Sequence, residues 1–130
     1  MGSKNKAPFI SFKRLFRSFQ HAWNGIKHTW MKEQNFRVHL LLMIAVFSVA
    51  QLLKVPLVEQ ALLVIVIGIV LALELVNTAI ENVVDMMVQT YDIRAKIIKD
   101  VAAGAVLAFA IVAVIVGLLI FLPKIILLFT

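Results

Sequence analysis

Cysteine is absent from the 130 residues, which excludes disulfides, iron–sulfur clusters and thiolate zinc sites. Glycine is scarce: Gly2, Gly25, Gly68, Gly104 and Gly117 are too dispersed to build a Walker loop or a G-x-G-x-x-G turn. Charge is scarce as well. Only 15% of residues are charged while 62% are hydrophobic, against about a quarter and about half in soluble domains, so a soluble globular protein is excluded. Acidic side chains number seven against thirteen Lys and Arg, a formal charge of +6. No alternating pattern suggests a β-barrel, and neither an internal repeat nor a low-complexity tract is present. The composition describes one small, basic, all-α membrane unit.

Three apolar runs are present, at 38–53, 61–73 and 101–122. A span needs roughly 20 residues to cross about 30 Å of hydrocarbon. The third run qualifies alone, and Pro123 is expected to end it. The first two reach that length only with flanking polar residues. The expected organisation is a disordered tail at 1–10, a surface helix at 11–31 and membrane spans at 34–54, 57–87 and 98–122. The first apolar run follows 37 residues holding eight Lys and Arg, so no signal peptide is expected. The Met-Gly-Ser-Lys-Asn-Lys start does not suit myristoylation.

Phe12, Leu15, Phe16, Phe19, Trp23, Ile26 and Trp30 recur at three- and four-residue steps, with Lys13, Arg14, Arg17 and Lys27 on the remaining face. That is a basic amphipathic helix suited to lying in an anionic membrane surface. Eleven of the thirteen positive residues fall before the first span or between the second and third, leaving Lys54 and Lys124 for the opposite side. The positive-inside rule then places the N-terminus in the cytoplasm and the C-terminus outside.

The second span ends in an unusual string, E-L-V-N-T-A-I-E-N-V-V-D at 74–85. Glu74, Asn77, Thr78, Glu81 and Asp85 share one stripe of a helix. A carboxylate in a span costs about 2.5–3.5 kcal/mol on insertion scales, and such groups usually mark function. Stacked like charges also call for a cation or a positive side chain. For Asn77 or Thr78 alone, hydrogen bonding between helices is a sufficient explanation; for the whole stripe it is not. Twenty residues of helix beyond Leu57 put Glu74 just inside the inner hydrocarbon edge, level with Glu33, Arg37, Lys99 and Asp100. Carboxylates with an amide oxygen suit Mg²⁺ shared with substrate phosphates. A further, partly desolvated carboxylate could take the proton of a lipid hydroxyl. Such parts serve phosphoryl transfer, which needs mainly positioning and charge compensation. The three histidines, at 21, 28 and 39, are too dispersed for a metal site, and His39 in its span is expected to bond a neighbouring helix. Ala102, Ala103, Gly104, Ala105 and Ala108 offer close helix contact or room for substrate.

The 74–85 string, A-K-I-I-K-D-V-A-A-G-A-V at 95–106, A-W-N-G-I-K at 22–27 and E-Q-N-F-R at 33–37 resemble the prokaryotic diacylglycerol kinase family, which includes the undecaprenol kinases. The resemblance covers roughly residues 12–120. It implies a homotrimer of three-span protomers, each with a surface helix, in a bacterial cell membrane, with sites shared between neighbours at the cytoplasmic face. It implies Glu74 as proton acceptor for the lipid hydroxyl, Asn77 as an orienting residue, and Glu33 and Glu81 as carboxylates holding Mg²⁺ with the phosphates of ATP. Lys99 and Asp100 match the nucleotide-binding motif, while Asp85, Tyr91, Asp92 and His21 fall beside the nucleotide. Arg14 and Ala103, with Glu74, match positions near the lipid substrate. His39 stands where the diacylglycerol enzymes carry Glu, Ala102-Ala103-Gly104 replaces a Gly-Ser-Ala pattern, and His21 replaces a Tyr. F-R-V-H and D-V-A-A-G-A-V look like the Gram-positive branch, which favours undecaprenol over diacylglycerol as the alcohol. Partners are then the membrane lipid, ATP, the bilayer and further copies of the chain, with no nucleic acid. Alternatives outside this class are a small proton-coupled transporter using Glu74 and a non-catalytic assembly subunit.

Overall fold

The computed structural model describes residues 8–130; most of the tail expected at 1–10 lies outside them. The described residues form four α-helices and no strand: α1 (Phe12–Lys32), α2 (Gln34–Leu52), α3 (Leu57–Met87) and α4 (Ile93–Phe129). At 1.5 Å per residue, α2 is about 28 Å long, α3 about 46 Å and α4 about 55 Å. These three are long and apolar enough to cross a membrane. α3 and α4 exceed a 30 Å hydrocarbon layer, so their polar ends project beyond it.

α1 presents the aromatic face read from its spacing, and Phe12, Phe16, Phe19 and Trp23 are all exposed. Soluble helices bury such a face; an exposed one suits a lipid surface. α1 stops at Glu33, whose extended backbone (φ −104°, ψ 116°) turns the chain into α2. The turn is tied twice. The Glu33 N–H donates to the Thr29 carbonyl at 2.8 Å. Arg37 Nη1 donates to the carbonyls of Trp30 and Met31 at 2.9 and 3.1 Å, satisfying acceptors that a helix end leaves open.

α3 is the central element. It packs along α4 for most of its length and also against α2, while α1 touches α2 and α3. The tightest packing lies near the α2–α3 turn, where Ala50, Val55, Leu63 and Ile120 form a buried cluster flanked by Val46, Phe47 and Phe121. Ala50 is completely buried, a small side chain that lets helices approach closely. Lys54 makes the turn with a positive φ of 51°, and Gln60 Nε2 donates to the Val55 carbonyl at 2.8 Å. An ion pair between Lys124 and Glu59 fastens α4 to α3 at the same end.

Pro123 does not end the last helix. α4 continues through it to Phe129 and also starts at Ile93, ahead of the apolar run. Proline removes the donor for the Leu119 carbonyl and favours a break. The apolar residues from Ile125 to Phe129 nevertheless resume the helix, and membrane helices tolerate such an interruption. At the other end, Asp92 accepts from the Arg94 N–H at 2.8 Å and starts the helix five residues before residue 98.

Candidate functional site

The polar stripe of α3 runs from the interior outwards. Glu74, Asn77 and Thr78 are buried, Glu81 is half-buried and Asp85 is exposed. This gradient follows from α3 lying between α2 and α4 at Glu74 and emerging from them towards Met87. Thr78 Oγ1 donates to the Glu74 carbonyl at 3.0 Å, and Asn77 Nδ2 donates to Glu81 Oε1 at 3.3 Å. Both bonds stay within α3, so neither side chain joins two helices in the way sufficient to explain it alone.

Glu74 is 3% exposed, an expensive environment for a carboxylate without a partner. Across the gap from α2, His39 Nε2 lies 3.2 Å from Glu74 Oε1. The histidine in the first span thus meets a neighbouring helix. Glu33, at the α1–α2 turn, and Glu81, two turns along α3, also act electrostatically on Glu74.

Glu74 and His39 border a cavity of about 320 Å³ lined also by Asn35, Val38, Asn77 and Ala103, with Val106, Leu107 and Ala110 on the α4 side. Asn77 Oδ1 is buried with no hydrogen-bond partner. Buried polar atoms are almost always paired, and a free amide oxygen beside a carboxylate is a ready acceptor or ligand. Ala103 leaves the α4 wall open, and a side chain at Gly104 would meet nothing within 4 Å. Of the small residues of α4, Ala103 lines this cavity, while Gly104, Ala105 and Ala108 are exposed and pack on no helix within this chain. A second, apolar cavity of about 350 Å³ shares His39 and Ala110 with the first and runs towards Phe121.

The remaining residues picked out from the sequence divide into two groups. Asp85 Oδ1 meets Lys99 Nζ at 2.9 Å, linking α3 to α4, and Lys96 pairs with Asp100 one turn along α4. Asp92 caps α4 and is paired with Arg94 Nη2 at 3.0 Å. Hydrogen bonds from the Arg94 side chain and then its N–H hold the Asp92 carboxyl below the usual carboxylate range. Arg14 and His21 on α1 and Tyr91 in the 88–92 turn are exposed and do not line the Glu74 cavity. The structure thus gathers Glu74, Asn77, Glu81, His39 and Ala103, and leaves Arg14, His21 and Tyr91 apart within one chain. The pairing of His39 with Glu74 and the capping by Arg37 and Asp92 were not read from sequence. Asp at the start of a helix with a basic residue two places on was the available signal for the last.

Among the described residues, no group of three or more His, Asp or Glu is gathered to hold a metal ion. That donor set does not suit a dedicated metal cage. Glu33 and Glu81 are each oxygen donors of the type Mg²⁺ takes when it arrives with phosphates, since this ion needs one or two carboxylates and keeps waters and phosphate oxygens for the rest.

Fold and site together define a small three-span membrane protein with an acidic, partly apolar pocket near the polar end of its central helix. Residues 20–121 match the family model for prokaryotic diacylglycerol kinase. The chain is 44% identical over 111 residues to the undecaprenol kinase of Bacillus subtilis (strain 168), covering 85% of this chain and 90% of that one. It is 46% identical over 110 residues to a diacylglycerol kinase of Synechocystis sp., covering 84% of this chain and 63% of that one. Identity to the diacylglycerol kinase of Escherichia coli (strain K12) is 32% over 104 residues, 80% of this chain and 85% of that one. The chain belongs to the prokaryotic diacylglycerol kinase family and is a lipid kinase, a phosphotransferase with an alcohol acceptor. Family membership sets aside the transporter and the assembly subunit.

Proposed function

We propose that this kinase transfers the terminal phosphoryl group of ATP to the hydroxyl of a membrane polyprenol, undecaprenol, at the cytoplasmic face of a bacterial membrane. The observation that carries this is Glu74: a buried carboxylate on the wall of a cavity that holds an unpaired amide oxygen and adjoins an apolar groove. A lipid alcohol places its hydroxyl in the first and its chain in the second.

Glu74 accepts the hydroxyl proton as the oxygen attacks phosphorus, and Asn77 orients the reacting group through its free Oδ1. Glu81 and Glu33 are the residues that would hold Mg²⁺ with the nucleotide phosphates, where it would supply positive charge to offset theirs. Lys99 and Asp100 meet the nucleotide; Asp85 orients Lys99, while Tyr91, Asp92 and His21 approach the nucleotide from the turn and the surface helix. Arg14 and Ala103 border the lipid. Because Arg14, His21 and Tyr91 stand apart in one chain, this arrangement goes with a homotrimer in which a neighbour completes the site. Eleven positive residues on the N-terminal and 88–100 side support the cytoplasmic placement.

Undecaprenol is favoured by the likeness to the B. subtilis undecaprenol kinase across 90% of that protein's length. Purified protein given labelled ATP and each lipid in turn is expected to phosphorylate undecaprenol much faster than diacylglycerol. The reverse preference would assign the alcohol to diacylglycerol and leave the kinase in place.

A further inference from the structure

Apart from Arg37, which reaches back to the end of α1, the buried and half-buried residues of α2 are Phe36, His39, Leu40, Met43, Val46, Phe47 and Ala50, at helical three- and four-residue steps. Every member but one is apolar. An imidazole in such a stripe is an expense unless it meets a polar partner, and this one meets Glu74 Oε1 at 3.2 Å. Among the charged groups acting on Glu74, Glu33 and Glu81 share its sign, and His39 alone can counter it. The lining contributed by α4 is Ala103, Val106, Leu107 and Ala110, none of which titrates. His39 is also the polar residue common to the Glu74 cavity and the apolar groove beside it.

We propose that His39 is the positioning residue for Glu74: its Nε2–H engages Oε1 and turns the other carboxylate oxygen towards the substrate hydroxyl at the mouth of the groove. This rests on Glu74 being the proton acceptor. In the reacting complex the 3.2 Å contact tightens into an aligned hydrogen bond, as contacts of this kind do once substrate is in place. The alcohol proton passes to the free oxygen of Glu74, the alcohol oxygen forms its bond to phosphorus, and the bond from phosphorus to the nucleoside diphosphate oxygen breaks. His39 touches none of the reacting atoms. It keeps the carboxylate from rotating away, and misplacing a reacting group by about 1 Å can cost on the order of 10²-fold in rate.

Glutamine and asparagine separate this role from a merely structural one. Glutamine sets its amide nitrogen near the position of Nε2, whereas asparagine sets it near Nδ1, too short to reach Glu74. With full-length protein in lipid vesicles, His39→Asn and His39→Phe are expected to lower kcat about 10²-fold while the KM for ATP stays within about twofold. His39→Gln is expected to recover most of that loss. Wild-type kcat in His39→Asn, or a kcat for His39→Gln as low as that for His39→Asn, overturns the proposal. If His39→Phe does not fold, the Gln and Asn pair decides alone. Activity of Glu74→Gln measured alongside keeps the two questions apart: an active Glu74→Gln defeats the proton-acceptor assignment, whereas an inactive one beside a fully active His39→Asn defeats only the role of His39.

Discussion

Asp85 Oδ1 and Lys99 Nζ stand 2.9 Å apart and bridge the last turn of α3 to the second turn of α4 across the 88–92 turn. Asp85 is exposed and Lys99 half-buried, and an ion pair so open to solvent contributes little to stability. The pair holds the Lys99 ammonium against α3, where Glu81 also acts on it electrostatically. Lys99→Met is expected to leave the unfolding temperature nearly unchanged while raising the KM for ATP on the order of tenfold, the loss of one charged hydrogen bond. Steady-state kinetics with a parallel thermal melt check both halves. An unchanged KM would remove Lys99 from nucleotide binding.

Glu81 is half-buried and accepts from Asn77 Nδ2 at 3.3 Å. A glutamine there keeps an oxygen for that bond but loses the charge that attracts a divalent cation. Glu81→Gln should fold normally and need a higher Mg²⁺ concentration for half-maximal rate, with weaker nucleotide binding. A titration of activity against Mg²⁺ measures this. An unshifted curve would exclude Glu81 as a ligand.

The N-terminus of α4 depends on Asp92, whose carboxyl is held below its ordinary range by Arg94. A depressed folded-state pKa stabilises the fold above the unfolded value of about 3.9, and that contribution disappears as pH falls through the lower folded-state value. Asp92→Asn retains a good cap but cannot titrate, so its stability should lose this acid limb. Asp92→Ala should be less stable than wild type at pH 7, with the difference shrinking below about pH 4. Unfolding midpoints across this range give the comparison. A pH-independent difference would place the Asp92 contribution elsewhere.

Ala50 is wholly buried in the cluster with Val55, Leu63 and Ile120. A larger side chain has no space there. Ala50→Leu should destabilise the bundle by about 1–3 kcal/mol, read as earlier unfolding in mixed detergent and SDS. No change would mean that α2 can move away from α3 at this end without loss.

The four helices were legible because composition and period leave few alternatives. The 101–122 run has to be helical in hydrocarbon, and the aromatic steps of α1 are those of one helical face. The acidic stripe was legible too, since its offsets place Glu74 through Asp85 on one side whatever surrounds them. What escaped depends on contacts between elements. The full extent of α4 was lost because Pro123 looks like a stop when only its missing N–H is considered, while the apolar residues after it carry the helix on to Phe129. The partner of Glu74 was lost because depth alone puts several groups at its level, and only the packing of α2 on α3 selects His39. The unpaired Asn77 oxygen likewise becomes evident only once its amide is seen bonded to Glu81.

The most direct measurement is phosphoryl transfer from labelled ATP to undecaprenol by Glu74→Gln, with nucleotide binding determined on the same preparation. A carboxamide cannot accept the alcohol proton, but the groups assigned to Mg²⁺ and phosphate remain. Turnover should fall about 10²- to 10⁴-fold with nucleotide affinity close to wild type. Turnover near the wild-type rate, or a loss of nucleotide affinity equal to that of Glu81→Gln, would contradict the assignment of Glu74 as proton acceptor.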